Sequence, residues 1–323
     1  MDFLITILQL IDGTIRVSTP LILAALAGLC SERGGVIDIG LEGKMLGAAF
    51  VAATVAYMTG SAWLGLLAAI AASVALSLIH GFASITHHGN QVVSGMAINI
   101  IVAGLAPTIG NAIFHINGDT PPLPHAARFT AIDLPFAASL ADVPVIGPVY
   151  SGVISGHSFT TYLAFALVPF VAWMLYKTRF GLRLRAVGEN PEAVDTAGVS
   201  VQWLRYRAVM IAGVLCGIAG TSLSTSLGAS FIRDMTAGKG YLALAAMIFG
   251  KWRPKTTLLA CLIFAFTDTL QARLQGVELP VVGEIPVQFI IMLPYALTVF
   301  LLAGFVGKVV APAADGEPYI KEH

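Results

Sequence analysis

Long apolar segments are the feature of this sequence that most restricts its fold. A bilayer core is about 30 Å thick, and a helix crosses it with roughly 20 apolar residues. Only 11% of the 323 residues are charged, whereas a soluble domain carries about a quarter. We therefore predict an all-α, polytopic transmembrane helical bundle of about nine spans, with eight to ten as the range. The apolar segments lie near residues 15–30, 40–59, 62–84, 91–113, 159–176, 207–227, 240–250, 257–275 and 287–306.

Two of these segments are shorter than a full span. The segments at 15–30 and 240–250 both adjoin glycine clusters, which is typical of helices that break inside a protein-lined cavity. The first dozen residues are also apolar, but they carry Asp12 and end near Arg16, one helical turn further on. They form either an interfacial helix or an additional span.

The placement of basic residues predicts the orientation of the chain. Cytoplasmic loops near membrane spans are enriched in Lys and Arg. Residues 177–207 carry the densest basic cluster, and residues 251–255 carry a second one two spans later. We therefore predict that both loops and the tail after Lys308 are cytoplasmic, and that the N-terminus lies outside. Residues 114–158 then form an extracytoplasmic loop of a single transmembrane domain that covers residues 1–323.

The first basic loop contains the turn and capping residues of two short helices. Pro191 suits the first position of a helix, Glu192 and Asp195 suit its first turn, and Gly198 can end it. The two helices would form a rigid protruding surface. That surface either docks a partner protein or is only a solvated basic connector.

Three segments resemble permease subunits of ATP-binding cassette (ABC) importers of the ribose, galactose and nucleoside type. Phe180–Gly198 is similar to the coupling segment of these permeases. Thr19–Gly47, which includes the run Ser31–Gly43, and Gln91–Asn99 resemble the nucleoside branch. The resemblance implies a subunit that dimerises with itself or a paralogue, binds a separate ATPase, and receives solute from an extracytoplasmic binding protein.

The resemblance also implies which residues transmit motion and where ATP binds. The chain has no G-x-x-x-x-G-K-[ST] phosphate loop, so ATP and magnesium are expected on the ATPase and no cofactor in this chain. We expect no catalytic residue, no nucleic-acid partner, and a location among the lipids of the bacterial cytoplasmic (inner) membrane. The residues expected to couple to the ATPase are Gly188, Glu189, Asn190, Pro191, Ala193, Asp195 and Gly198.

Polar residues inside the apolar segments are candidates for the solute pathway, because polar groups at membrane depth are costly and usually functional. Asp268 and Gln271 share one helix face, and Asn99 and Asn111 lie along another segment. Each of them has an alternative role in contacts between helices.

Other residues are expected to be structural. Asp38 and Glu42 either hold an entry to the translocation pathway beside an exposed helix end or, as we favour, pair with Arg33 or Lys44. The four-residue spacing of Gly213 and Gly217 predicts close helix packing. No metal site is expected, because the adjacent His87 and His88 have no third ligand at a suitable spacing. The three isolated cysteines, Cys30, Cys216 and Cys261, are interpreted as small core residues.

Three functional classes remain to be weighed. The leading prediction is the permease subunit of an ABC importer for nucleosides, with simple sugars next. The alternative is a secondary carrier driven by an ion gradient, which needs buried ionisable groups along its path, and only Asp268 clearly qualifies. An intramembrane enzyme is disfavoured, because no nucleophile–base arrangement and no H-E-x-x-H motif is present.

Overall fold

The computed structural model describes residues 2–135, 146–275 and 310–321, with isolated residues between 278 and 300. Most of these residues are helical. Two antiparallel ribbons pair β1 (Ala131–Ile132) with β2 (His157–Ser158) and β3 (Glu278–Leu279) with β4 (Gly283–Glu284). The main helices are α1 (Asp2–Glu32), α2 (Leu41–Thr59), α3 (Ala62–Gly81), α4 (Gln91–Phe114), α5 (Phe159–Lys177), α6 (Arg179–Glu189), α7 (Pro191–Thr196), α8 (Val201–Thr221), α9 (Lys239–Phe249) and α10 (Pro254–Leu274).

Six helices in the described part of the chain are long and apolar enough to cross a membrane. α2 has 19 residues and α9 has 11, and neither is among these six. The predicted segment at 287–306 lies almost entirely outside the described residues, so the count of about nine spans stays a prediction. The six candidate spans are Thr6–Glu32, Ala62–Thr86, Gln91–Phe114, Phe159–Lys177, Val201–Leu227 and Pro254–Leu274.

The prediction of a short, broken helix is wrong for the segment at 15–30, whereas the segment at 240–250 is a short helix as predicted. α1 is one continuous helix of 31 residues, so the segment at 15–30 is not a short span. Its two charges do not interrupt the helix, because Arg16 Nε donates to Asp12 Oδ1 at 2.9 Å across one turn. α9 is short as predicted, and Gly238 precedes it with a left-handed φ of 79°.

Close contact between helices builds the core. α8 packs against α1, α2 and α3, and a β-carbon on Gly217 would lie 2.6 Å from the Cα of Ile70 in α3. A β-carbon on Gly213 would lie 2.9 Å from the Cα of Val74, also in α3. The prediction that these two glycines serve helix packing is therefore confirmed. Cys30, Cys216 and Cys261 are buried with free thiols in this core, as the sequence predicted.

A non-helical segment, residues 228–238, leads from α8 into α9. Its partner is the loop after α4: Thr120 N donates to Phe231 O at 3.0 Å, and Phe231 N donates to Thr120 Oγ1 at 2.8 Å. The Phe231 ring is fully buried and meets the Phe50 ring of α2 edge to face. These contacts satisfy part of the backbone of the segment and fix the point where α9 begins.

The contact of Gly217 gives a prediction about stability. Gly217→Ala places a methyl group against the backbone of α3, which cannot shift cheaply, so unfolding should become easier by about 1–3 kcal/mol. The measurement is the thermal unfolding midpoint of the purified chain in detergent. Gly104→Ala is the matched control, because it is also a helical glycine and a β-carbon there would meet nothing within 4 Å. Equal midpoints for the two variants would contradict the packing role.

Candidate functional site

The short helices α6 and α7 meet in a tight turn that the local sequence specifies. Asn190 ends α6 and caps α7, since its Oδ1 accepts the N–H of Ala193 at 3.0 Å. Pro191 occupies the first position of α7, where its missing N–H leaves no bond unmade. Gly198 follows α7 with a φ of 76°. The prediction of a helix from Pro191 that ends before Gly198 is confirmed.

The pair of helices is anchored on one side and exposed on the other. Val187 of α6 and Val194 of α7 are buried against Val201 and Leu204 of α8. The turn between the helices faces outward, so a rigid base presents a small polar surface. The exposed residues of this surface are Glu189, Asn190, Glu192 and Ala193.

Gly188 joins α6 to the end of α1. A β-carbon on Gly188 would lie 2.5 Å from the carbonyl oxygen of Arg33, so only glycine permits this approach. The Arg33 guanidinium donates two hydrogen bonds to the carbonyl of Trp252, at 3.0 and 2.9 Å, and lies 4.0 Å from the Glu189 carboxylate. We call this end of the bundle, where Arg33, α6, α7 and Trp252 meet, the basic end.

Two residues that follow Arg33 in the sequence form a buried ion pair. Lys44 Nζ donates to Asp38 Oδ2 at 2.5 Å, and both side chains are fully buried. His80 of α3 bridges the same region, with Nε2 3.0 Å from Ile37 O and Nδ1 3.0 Å from Ser94 Oγ. The expected pairing of Asp38 is confirmed. It holds the non-helical residues 33–40 against α2, α3 and α4.

Glu42 does not pair with Arg33 or Lys44, so its expected partners are wrong. Its carboxylate accepts the backbone N–H groups of Gly238 at 2.8 Å and Gly240 at 2.5 Å. These N–H groups lack partners within α9, and the positive end of the helix dipole favours a carboxylate there. The sequence does not reveal this contact, because the two elements are 196 and 198 residues apart.

The contact between Glu42 and α9 lies one short helix away from the basic end. α9 has 11 residues and ends beside the basic end, so its start lies about 16 Å away at 1.5 Å per residue. That is roughly half of a bilayer core. Non-helical backbone at this depth requires burial in protein or a water-filled cavity beside it.

Asn99 binds to the same region from α4. Its Oδ1 accepts the N–H of Gly43 at 2.8 Å, and its Nδ2 donates to Ile39 O at 3.0 Å and to the Tyr241 hydroxyl at 2.9 Å. The amide therefore holds the start of α2 and orients Tyr241. The Tyr241 side chain, on α9, remains 41% exposed.

The other predicted pathway residues lie at different distances from α9. Asp268 is half-buried on α10, and Lys239, the first residue of α9, is its charged neighbour. Asn99 and Asp268 are thus both beside the first turn of α9, next to Tyr241 and Lys239 respectively. Gln271 lies about one turn further along α10. Asn111 is exposed, about three turns beyond Asn99 on α4.

Sequence reasoning missed Tyr241 and Lys239 as members of this polar region. The sequence did contain a signal for them, because both residues follow Gly238 within three positions. Polar and aromatic side chains at the start of a broken helix are placed to face the cavity beside that helix. Among residues 2–135, 146–275 and 310–321, no group of three or more His, Cys, Asp or Glu side chains could hold a metal.

Comparison with known proteins shows to which protein family the chain belongs. Residues 10–302 match the family model described as branched-chain amino acid transport system / permease component, so the chain belongs to this family. It is 40% identical to the guanosine ABC transporter permease protein NupQ of Bacillus subtilis (strain 168), over 99% of each chain. It is 36% identical to the nucleoside ABC transporter permease protein NupC of Lactococcus lactis subsp. cremoris, again over 99% of each chain.

A more distant relative comes from the same organism as NupQ. The guanosine ABC transporter permease protein NupP of Bacillus subtilis (strain 168) is 25% identical over 91% of this chain and 81% of its own. Together with the apolar helices, these findings identify the chain as a multi-pass membrane permease subunit of an ABC importer. Such a subunit works with an ATPase and a substrate-binding protein.

Proposed function

We propose that this chain forms part of the path by which nucleosides enter a bacterial cell across the cytoplasmic membrane. The observation that carries the proposal is the similarity to NupQ over 99% of both chains, because NupQ is a guanosine permease protein. The similarity to NupC, a nucleoside permease protein, supports the same solute class. Simple sugars are the second choice.

We further propose that the second permease in the complex is a paralogue. NupQ and NupP are both guanosine permease proteins of one organism, and this chain is similar to both, at 40% and 25% identity. A pair of related but different permeases accounts for that pattern. ATP and magnesium bind to the partner ATPase in this proposal, and this chain needs no cofactor of its own.

The exposed turn between α6 and α7 is proposed to dock the ATPase on the cytoplasmic side, with the N-terminus outside and the C-terminal tail inside. Support comes from the geometry, since the exposed turn stands on a buried base and Gly188 contacts the backbone of Arg33. A force on the turn would therefore be transmitted directly to the end of α1, because no flexible linker lies between them. The proposed coupling residues are Gly188, Glu189, Asn190, Pro191, Ala193, Asp195 and Gly198.

The proposed solute path runs past the exposed Tyr241 of α9 and past Asn99, Asn111, Asp268 and Gln271. A helix that starts inside the bundle, next to half-buried charged groups, is typical of a water-lined cavity. Tyr241 stands at this start with an exposed side chain whose hydroxyl is fixed by Asn99. We propose that a nucleobase stacks on this ring, since every base offers a flat face for stacking.

In the proposed mechanism, ATP binding closes the ATPase pair and shifts α6 and α7 as a rigid body. The shift passes through Arg33 and residues 33–40 to α2, whose Glu42 holds the start of α9. α9 then changes position in the path, and each conformation is preferred by a different nucleotide state of the ATPase.

The transport class is tested by uptake into vesicles. Vesicles that contain this chain, its paralogue, the ATPase and the binding protein should accumulate labelled guanosine only when ATP is inside. Vesicles without the ATPase should show no uptake, with or without a proton gradient. Uptake by the permease alone that stops when the proton gradient is collapsed would establish the secondary-carrier alternative instead.

The docking role of the turn is tested with a bulky substitution at an exposed position. Ala193→Trp adds a large side chain to an exposed position, so the chain should insert normally but lose co-purification with the ATPase by at least about tenfold, which corresponds to roughly 1.4 kcal/mol. Lys255→Trp, at an exposed position of the second basic loop, is the control. Undiminished co-purification of the Ala193 variant would remove the docking assignment.

The stacking role of Tyr241 is tested with two substitutions. Base stacking on an aromatic ring contributes about 1–3 kcal/mol, so Tyr241→Leu should lower the maximal guanosine uptake rate on the order of tenfold. The rate is measured with saturated binding protein, so that delivery is not limiting. Tyr241→Phe keeps the ring and loses only the hydroxyl with its bonds to Asn99 and Met96, so it should retain most of the rate. Equal losses in both variants would assign the effect to the hydroxyl and not to stacking.

A further inference from the structure

The C-terminal tail, residues 310–321, lies across the two short helices. Ala314 N donates to Gly188 O at 2.8 Å, and Ala313 N donates to Glu189 Oε2 at 3.4 Å. Further along the tail, Lys321 Nζ lies 3.3 Å from the Asp195 carboxylate of α7. The tail therefore contacts both short helices, at the residues on either side of their turn.

The tail is also fixed to α8. Arg205 of α8 is only 1% exposed, and its Nη1 donates to Glu317 O at 2.8 Å. Burial of an arginine is costly unless partners satisfy its donors, and the tail satisfies Nη1, whereas Nε and Nη2 have no hydrogen-bond partner among the described residues. Tyr319 packs on the apolar base formed by Val187, Val194, Val201 and Leu204.

A third set of contacts joins the tail to the chain between α1 and α2. The Asp315 carboxyl is hydrogen-bonded to the Glu32 carboxyl at the end of α1. Gly316 has a φ of 83° and lies against Ile37, where a β-carbon would come within 2.6 Å of Ile37 Cδ1. The tail thus bridges α6, α7, α8 and the segment that leads to Glu42.

We propose that the C-terminal tail is a strap that positions α6 and α7 and belongs to the coupling device, a role that rests on the proposed function of those helices. Three sets of contacts hold it: two lie on elements that the proposed motion must pass through, namely α6 with α7 and the α1–α2 connection, and the third fixes the tail to α8. The strap makes the short helices and the start of the α1–α2 connection one mechanical unit.

The same strap contributes to the surface that the ATPase meets. A cavity of about 300 Å³ lies between the tail and α7, and its walls include Asp195, Gln202, Tyr319 and Lys321. Asp195 of α7, one of the proposed coupling residues, forms part of its wall. A partner that sits on α7 is therefore expected to touch the tail as well.

The tail contact depends on pH through Asp315. Burial raises the pKa of Asp315 to about 7, although the Arg205 guanidinium of α8 opposes this change. Glu32 of α1 is the carboxyl that faces it, and Glu189 of α6 binds the nearby Ala313. A docked Asp315 holds its proton more tightly than a free one with a pKa near 3.8. Docking is therefore strongest at low pH and weakens as the pH rises through about 7.

The strap is tested by truncation in the complete complex. A chain that stops after Val310 lacks every described tail contact, and its control stops after Lys321 and keeps them all. We expect the shorter chain to insert in the membrane, but its solute-stimulated ATP hydrolysis should fall on the order of tenfold relative to the control. Equal stimulation in the two chains would overturn the strap.

A second variant covers the case in which the shorter chain does not fold. Asp315→Asn removes the titrating carboxyl and keeps the size of the side chain. In the unmodified chain, solute-stimulated hydrolysis relative to basal hydrolysis should decrease from pH 6 to pH 8 more steeply than in this variant. Identical pH profiles would also overturn the role of the tail contact in coupling.

Different outcomes separate the docking role of α6 and α7 from the strap role of the tail. If the proposed function of α6 and α7 is wrong, the Ala193→Trp variant will keep both its co-purification with the ATPase and its solute stimulation. If only the strap is wrong, the control and the truncated chain will behave alike and both will be stimulated.

Discussion

The hydrogen bonds between the Glu42 carboxylate and the first N–H groups of α9 are the interaction on which the interior of this permease depends. A helix that begins inside a membrane exposes donors that hydrocarbon cannot satisfy, and an unsatisfied buried group costs about 1–3 kcal/mol. A carboxylate from α2 satisfies two of them and also complements the helix dipole. The broken helix can therefore stand beside a cavity without water at every backbone group.

The position of Glu42 also makes α9 sensitive to events at the basic end. Only a few residues separate Glu42 from Arg33, and the fully buried Asp38–Lys44 pair prevents this stretch from flexing independently. A buried ion pair that loses its geometry leaves uncompensated charge, which costs about 3–5 kcal/mol. Gradual bending of this stretch is thus disfavoured relative to movement as one unit. In the proposed mechanism, that property turns a push on Gly188 into a movement of α9.

Local patterns in the sequence predicted local structure well. The start of α7 at Pro191, the short α9 after Gly238 and the glycine contacts of α8 all follow from neighbours within a few residues. The continuous α1 was missed because two charges suggested a break, although an i, i+4 pair neutralises them on one helix face. No local pattern specifies a contact between residues that lie more than 100 positions apart in the sequence. The contacts of Glu42, of Tyr241 and of the tail are all of this kind.

The same contrast explains why the proposed coupling region is better defined than the proposed solute path. Docking surfaces are built from a contiguous segment, so caps and turns reveal them. A solute path is assembled from single residues on several helices, and each polar residue there also serves the protein: Asn99 holds Gly43 and Ile39 as well as Tyr241. Such shared use ties the shape of the proposed path to the packing of α2 against α4. In the proposed mechanism, a movement of α2 must then change this path, because the amide that orients Tyr241 is bonded to the backbone of residues 39 and 43.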